Sequence, residues 1–104
     1  MALTPQTAYK RLNRLLWRGQ LPYAKIVLVP NPTMPYAHGV TMNDGISLFL
    51  KPVIALNSGD RYWGKTLIHE CLHVAEPTLA HGAVFDALVR RYYRLAKKEI
   101  KGFK

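Results

Sequence analysis

The chain has 104 residues, 49% of them apolar and 11% aromatic, a composition that argues for one folded domain over 1–104 with a modest core and against a disordered chain. Fifteen Lys and Arg against six Asp and Glu give a net charge of +9, which points toward an acidic partner such as nucleic acid. No charged-then-apolar leader and no apolar run near the roughly 20 residues of a membrane span is read, and one cysteine permits no internal disulfide, so a cytoplasmic protein is expected.

Taken in order, Thr4-Pro5 offers a cap and a first helical position, and Ala8, Tyr9, Leu12, Leu15 and Leu16 share one face, predicting a helix over 5–18 ended by Gly19. Residues 24–29, rich in β-branched side chains and halted by Pro30, predict a strand. Gly39 to Met42 and Ile46 to Leu50 flank Asn43-Asp44-Gly45, a hairpin signal, and a short extended piece follows over Val53 to Leu56. A second helix is expected from an Asp60 cap to about Ala75, with Gly64 either weakening its start or permitting close packing. The third begins at Gly82, with Val84, Phe85, Leu88, Val89, Tyr92, Leu95, Ala96 and Ile100 on one apolar arc. Glu99 also falls on that arc, without a physical account. The fold class expected is α/β (α+β), three helices on a short antiparallel sheet.

The chemistry resides in His69-Glu70-Cys71-Leu72-His73 and His81-Gly82. On a helix, positions four apart share a face, so His69 and His73 can converge on one metal ion while Glu70, one position round, stands beside the open coordination site. A catalytic zinc takes three protein ligands and a water, and His81, beyond the helix-ending Glu76-Pro77-Thr78, is placed to return as the third. Glu76 would have to turn back against its helix, and Glu99 lies eighteen residues past His81, about 27 Å away along one continuous helix. Asp86 is the remaining rival. Cys71, about 200° round the helix from His69, reads as a buried small hydrophobe.

The chain resembles the SprT-like zinc metallopeptidases, whose best-known members cut proteins crosslinked to or bound on DNA. The resemblance rests on Thr66 to His73, on His81-Gly82 with Phe85 as a His-Gly-x-x-Phe element, and on Leu12-Asn13, Leu16, Trp17, Gly19, Leu21-Pro22 and Ile26 upstream. Gly39-Val40, Ile46 to Leu48 and Leu56-Asn57 are similar to the family's hairpin region, so nearly the whole chain is covered. The resemblance implies a zincin-like core and a hydrolase, a metalloprotease with one Zn2+ per chain held by His69, His73 and His81. Glu70 acts in it as general base on a zinc-activated water. Members often carry a zinc ribbon or DNA-binding modules after this core; a single cysteine cannot build a ribbon, and the chain resembles the minimal, stand-alone core of small replicons such as bacteriophages.

Substrate is expected to pair along Ile46 to Leu50, and an oxyanion-stabilising group from Tyr62, Tyr92, Tyr93 or His38. The cationic surplus is clustered: Lys10, Arg11, Arg14 and Arg18 on the first helix, and Arg90, Arg91, Arg94, Lys97, Lys98 and Lys101 opposite the apolar arc of the third. Such stripes neutralise phosphates without reading sequence, so sequence-independent DNA binding, and nucleoid association with it, is expected. Two alternatives stand beside this reading: a zinc hydrolase acting on a host or virion protein away from DNA, and a non-catalytic basic DNA-binding module with structural zinc.

Overall fold

In a computed structural model, residues 3–29, 39–42, 53–59 and 61–104 are described. The Thr4 hydroxyl accepts a hydrogen bond from the Thr7 amide at 3.2 Å, and Pro5 follows with φ already set for a helix, so α1 starts where expected and runs Pro5–Trp17. It ends at Arg18, in the left-handed conformation at φ 55°, one residue before the expected Gly19. Ala8, Tyr9 and Leu12 are buried; Leu15, assigned to the same face, is exposed.

The inner side of α1 carries polar groups as well. Gln6 accepts from the Ile26 amide and donates to the Ala24 carbonyl, both at 3.0 Å; the Tyr9 hydroxyl donates to the Pro22 carbonyl at 2.7 Å. Asn13 accepts from the Leu21 amide at 2.9 Å and donates to the Leu21 carbonyl at 3.1 Å. Positions 6, 9 and 13 follow helical spacing, so three side chains clamp residues 21–26 along α1 as they lead into β1, Lys25–Val29. Burial raises the Tyr9 phenol well above its usual range, which keeps the proton that this bond needs.

The expected antiparallel sheet is a mixed one. Its strand order is β1-β3-β2, with β2 spanning Gly39–Met42 and β3 spanning Val53–Asn57. Around Ala55, Val40 pairs from an antiparallel β2 and Val27 from a parallel β1. The reason lies in β3, where Ile54, Ala55 and Leu56 are buried in succession. A strand covered on both faces suits a central position with a parallel neighbour, and β2, which lies between β1 and β3 in the chain, pairs with the far side of β3 in the sheet. The expected turn at 43–45 and strand at 46–50, Asp60 and His38 lie outside the described residues.

Helix α2, Trp63–Ala75, begins after Tyr62 and buries Leu67, Ile68, Cys71 and Leu72 against α1, α3, β2 and β3. Gly64 serves close packing: a Cβ there would stand 2.6 Å from the Phe103 ring and 3.0 Å from the Lys104 backbone. An alanine would require that contact to open, at about 1–3 kcal/mol.

Helix α3, Ala83–Glu99, buries Phe85, Val89 and Ala96, but Val84 is 64% and Leu95 39% exposed, which corrects the expected arc. At about 100° per residue, Val84, Leu88, Leu95 and Glu99 form one flank, and Tyr93 and Ile100 the other. The chain after α3 folds back along the second flank: Ile100 and Phe103 are buried, Phe103 packs on Trp63 and Tyr93, and the Tyr93 hydroxyl donates to the Lys104 carbonyl at 2.8 Å. The buried arc is thereby rotated toward Tyr93, and Glu99, four residues past Leu95, is left exposed rather than in the core. Among the described residues no helix is long and apolar enough to cross a membrane.

Candidate metal centre

His69 and His73 lie one turn apart on α2, which closes at Glu76 through its amide bond to the Leu72 carbonyl. The segment that follows turns at Glu76 to Leu79, where the Leu79 amide donates to the Glu76 carbonyl at 3.1 Å, and enters α3 through an extended Gly82 with φ 156° and ψ −164°. That region is essentially reserved for glycine; a Cβ would find open space there, so the requirement is backbone conformation and not room. The turn brings His81 back over the α2 pair.

The Nε2 atoms of His69 and His73 are 3.2 Å apart, those of His73 and His81 2.8 Å, and one ligand atom from each of the three lies within 4.8 Å of the others. Nitrogens bound tetrahedrally to zinc at 2.0–2.1 Å are separated by about 3.3 Å, so the donor set fits one metal ion. Asp86, the rival third ligand, is exposed in the first turn of α3 and outside this cluster, as are Glu76 and Glu99.

Glu70 is 4% exposed, and its Oε2 stands 3.8 Å from His69 Nε2. Burial lowers the pKa of His69, with Glu70 opposing and His73 and His81 adding to the depression. A lowered pKa favours the neutral imidazole, the form that can bind a metal. Cys71 is fully buried, and burial raises its thiol well above the usual range, so it behaves as the core residue expected.

Beneath the histidines lies Phe85, fully buried, its ring centroid 4.7 Å from that of His69, 4.8 Å from His73 and 5.0 Å from His81. The sequence marks Phe85 as part of the His-Gly-x-x-Phe element and of an apolar arc, but not as a neighbour of all three imidazoles. The available signal was its spacing: it follows His81 by four residues, as His73 follows His69.

The basic residues Lys10, Arg11, Arg14 and Arg18 of α1 and Arg90, Arg91, Arg94, Lys97 and Lys98 of α3 are all exposed, as is Lys101 just past it. The tyrosines considered for an oxyanion are placed apart from the histidines. Tyr62 precedes His69 by seven residues, about 10 Å along the helix, and Tyr92 lies as far beyond Phe85, against Trp17. The chain matches no protein-family model, no curated protein and no solved structure.

Proposed function

We propose that the chain is a zinc metallopeptidase of SprT-like type with a zincin-like core, acting on proteins associated with DNA. The observation that carries this is the convergence of three imidazole Nε2 atoms beside a buried Glu70 carboxylate. A structural zinc site has no use for a carboxylate adjacent to its ligands; a hydrolytic one needs it as a base.

On this reading His69, His73 and His81 hold the zinc through neutral imidazoles. When bound, zinc supplies a Lewis acid that polarises a peptide carbonyl and lowers the pKa of water toward about 7. Glu70 removes a proton from the attacking water as its oxygen bonds to the carbonyl carbon. It then delivers that proton to the amine nitrogen as the C–N bond breaks. An extended substrate pairs along Ile46 to Leu50, where backbone pairing gives affinity without demanding one sequence. The exposed cationic faces of α1 and α3 hold phosphates and bring the enzyme to DNA-bound proteins.

Glu70→Gln tests the reading. It keeps side-chain shape and removes the base, so the variant is expected to retain zinc and fold while cleavage of a DNA-binding protein, assayed with and without single-stranded DNA, falls by orders of magnitude. Wild type and variant equally inert under both conditions would assign the centre to a non-catalytic module.

A further inference from the structure

Imidazole ligands are ordinarily oriented by their second ring nitrogen, which donates to a carboxylate or a main-chain carbonyl. Among the described residues, the polar contacts of the three histidines run through Nε2 alone: His69 to His73, His73 to His81, and His69 to Glu70. What touches all three is a hydrocarbon ring. Phe85 meets His69 at an interplanar angle of 68° and His81 at 80°, both edge-to-face, and His73 at a tilt of 35°. Edge-to-face contact is the favoured geometry of aromatic pairs, so the contacts with His69 and His81 select a ring orientation as well as filling space.

From this arrangement we propose that Phe85 is the positioning residue of the centre, fixing the three imidazoles by ring packing in the role that hydrogen-bonded carboxylates ordinarily play. The proposal rests on the metal reading above. His69 and His73 already share a helix face, but His81 belongs to an exposed segment and has no helix of its own. Phe85 lies in the first turn of α3 and is in contact with both α2 histidines and His81. It therefore ties the third ligand to the first two. Each histidine has two side-chain torsions to immobilise, and packing that removes this freedom before the ion arrives leaves less to be lost on binding.

The test uses the whole chain, stripped of metal by chelation, with Zn2+ affinity read by competition against a chromophoric chelator and site geometry read from the visible absorption of bound Co2+. Phe85→Leu keeps an apolar side chain and removes the ring; Ile54→Val, in the sheet core, is a control for lost packing. The expected result is a 10–100-fold weaker Zn2+ affinity and an altered Co2+ spectrum in Phe85→Leu, the range typical of disturbing a ligand's orienting partner, with both unchanged in Ile54→Val. Should Phe85→Leu fail to fold, Phe85→Met takes its place, with the same expectation. Zn2+ affinity within twofold of wild type and an unchanged Co2+ spectrum would make Phe85 a core filler and overturn the proposal. A wild-type chain that binds no Zn2+ would remove the metal reading as well, a result distinct from the former.

Discussion

At the junction of α1 with β1, the side chains of Gln6, Tyr9 and Asn13 commit their hydrogen bonds to the main chain of residues 21–26. At the junction of α2 with α3, three imidazoles rest on the Phe85 ring and turn their Nε2 atoms toward one another instead of toward backbone. Both arrangements start from polar side chains at helical spacing, Gln6, Tyr9 and Asn13 on α1 and His69 and His73 on α2, yet they do opposite things. The first satisfies buried donors and acceptors and fixes the path of the chain; the second leaves its lone pairs convergent, where an ion can take them. Polar residues on an inward helix face thus mean structure when they meet main chain and chemistry when they meet each other.

The two regions should respond separately to substitution, and the largest effect is expected at the histidines. His81→Ala should weaken Zn2+ binding by more than the roughly 100-fold that disturbing an orienting partner costs, because a ligand itself is lost. Since His81 is exposed, the melting temperature of the metal-free chain should barely move. Calorimetry of the stripped protein and chelator competition read the two quantities independently; full Zn2+ retention would assign the third ligand to another group, Asp86 first.

Asn13→Ala should show the converse. Two hydrogen bonds to Leu21 are lost at a half-buried position, at a cost of about 1–2 kcal/mol, or roughly 5–15 °C in melting temperature for a domain of this size. Zn2+ affinity should stay at the wild-type value. A variant that melts normally but loses zinc would mean that the clamp and the centre are coupled, and the comparison would fail.

The smallest effect on either region is expected from the cationic face of α3. Arg90→Gln, Arg94→Gln and Lys97→Gln alter exposed side chains and should each change stability by less than about 0.5 kcal/mol. If the DNA reading holds, the slope of log affinity against log salt falls by about 0.7–0.9 for each phosphate contact removed. Unchanged binding, or a wild-type chain with no salt-dependent binding, would remove the DNA partner from the proposed function.

The histidine cluster was legible in the sequence because His69 and His73 stand four residues apart, a property of helix geometry, and Glu76-Pro77-Thr78 ends the helix so that the chain can bring His81 back. Thr4-Pro5 and the buried Cys71 were legible for similarly local reasons. The sheet was not. Hairpin signals near residue 43 suggested antiparallel neighbours throughout, but the clue to a parallel partner was the unbroken apolar run Val53 to Leu56, which alternation scoring reads as merely short. Nor was the orientation of α3 legible, since Val84 and Leu95 fit the apolar arc as well as Phe85 does. What rotates the helix is the return of Ile100 and Phe103 along one flank, a tertiary contact that no periodicity encodes. The clamp was not legible either: Gln6 carried no signal and Asn13 stood only as part of the resemblance, because an amide on a helix is ordinarily read as facing water.

Cys71 stands two residues from His69 on the far side of α2, fully buried and held as the neutral thiol. The protein donors gathered at this centre, His69, His73 and His81, are therefore all nitrogens. Zinc sites built on thiolates lose their ion when peroxide carries the sulfur to sulfenic and sulfinic acids, a reaction that starts from an accessible thiolate. Here the only sulfhydryl is neither a ligand nor exposed, so an oxidant that empties cysteine-ligated zinc sites leaves this set of donors unchanged.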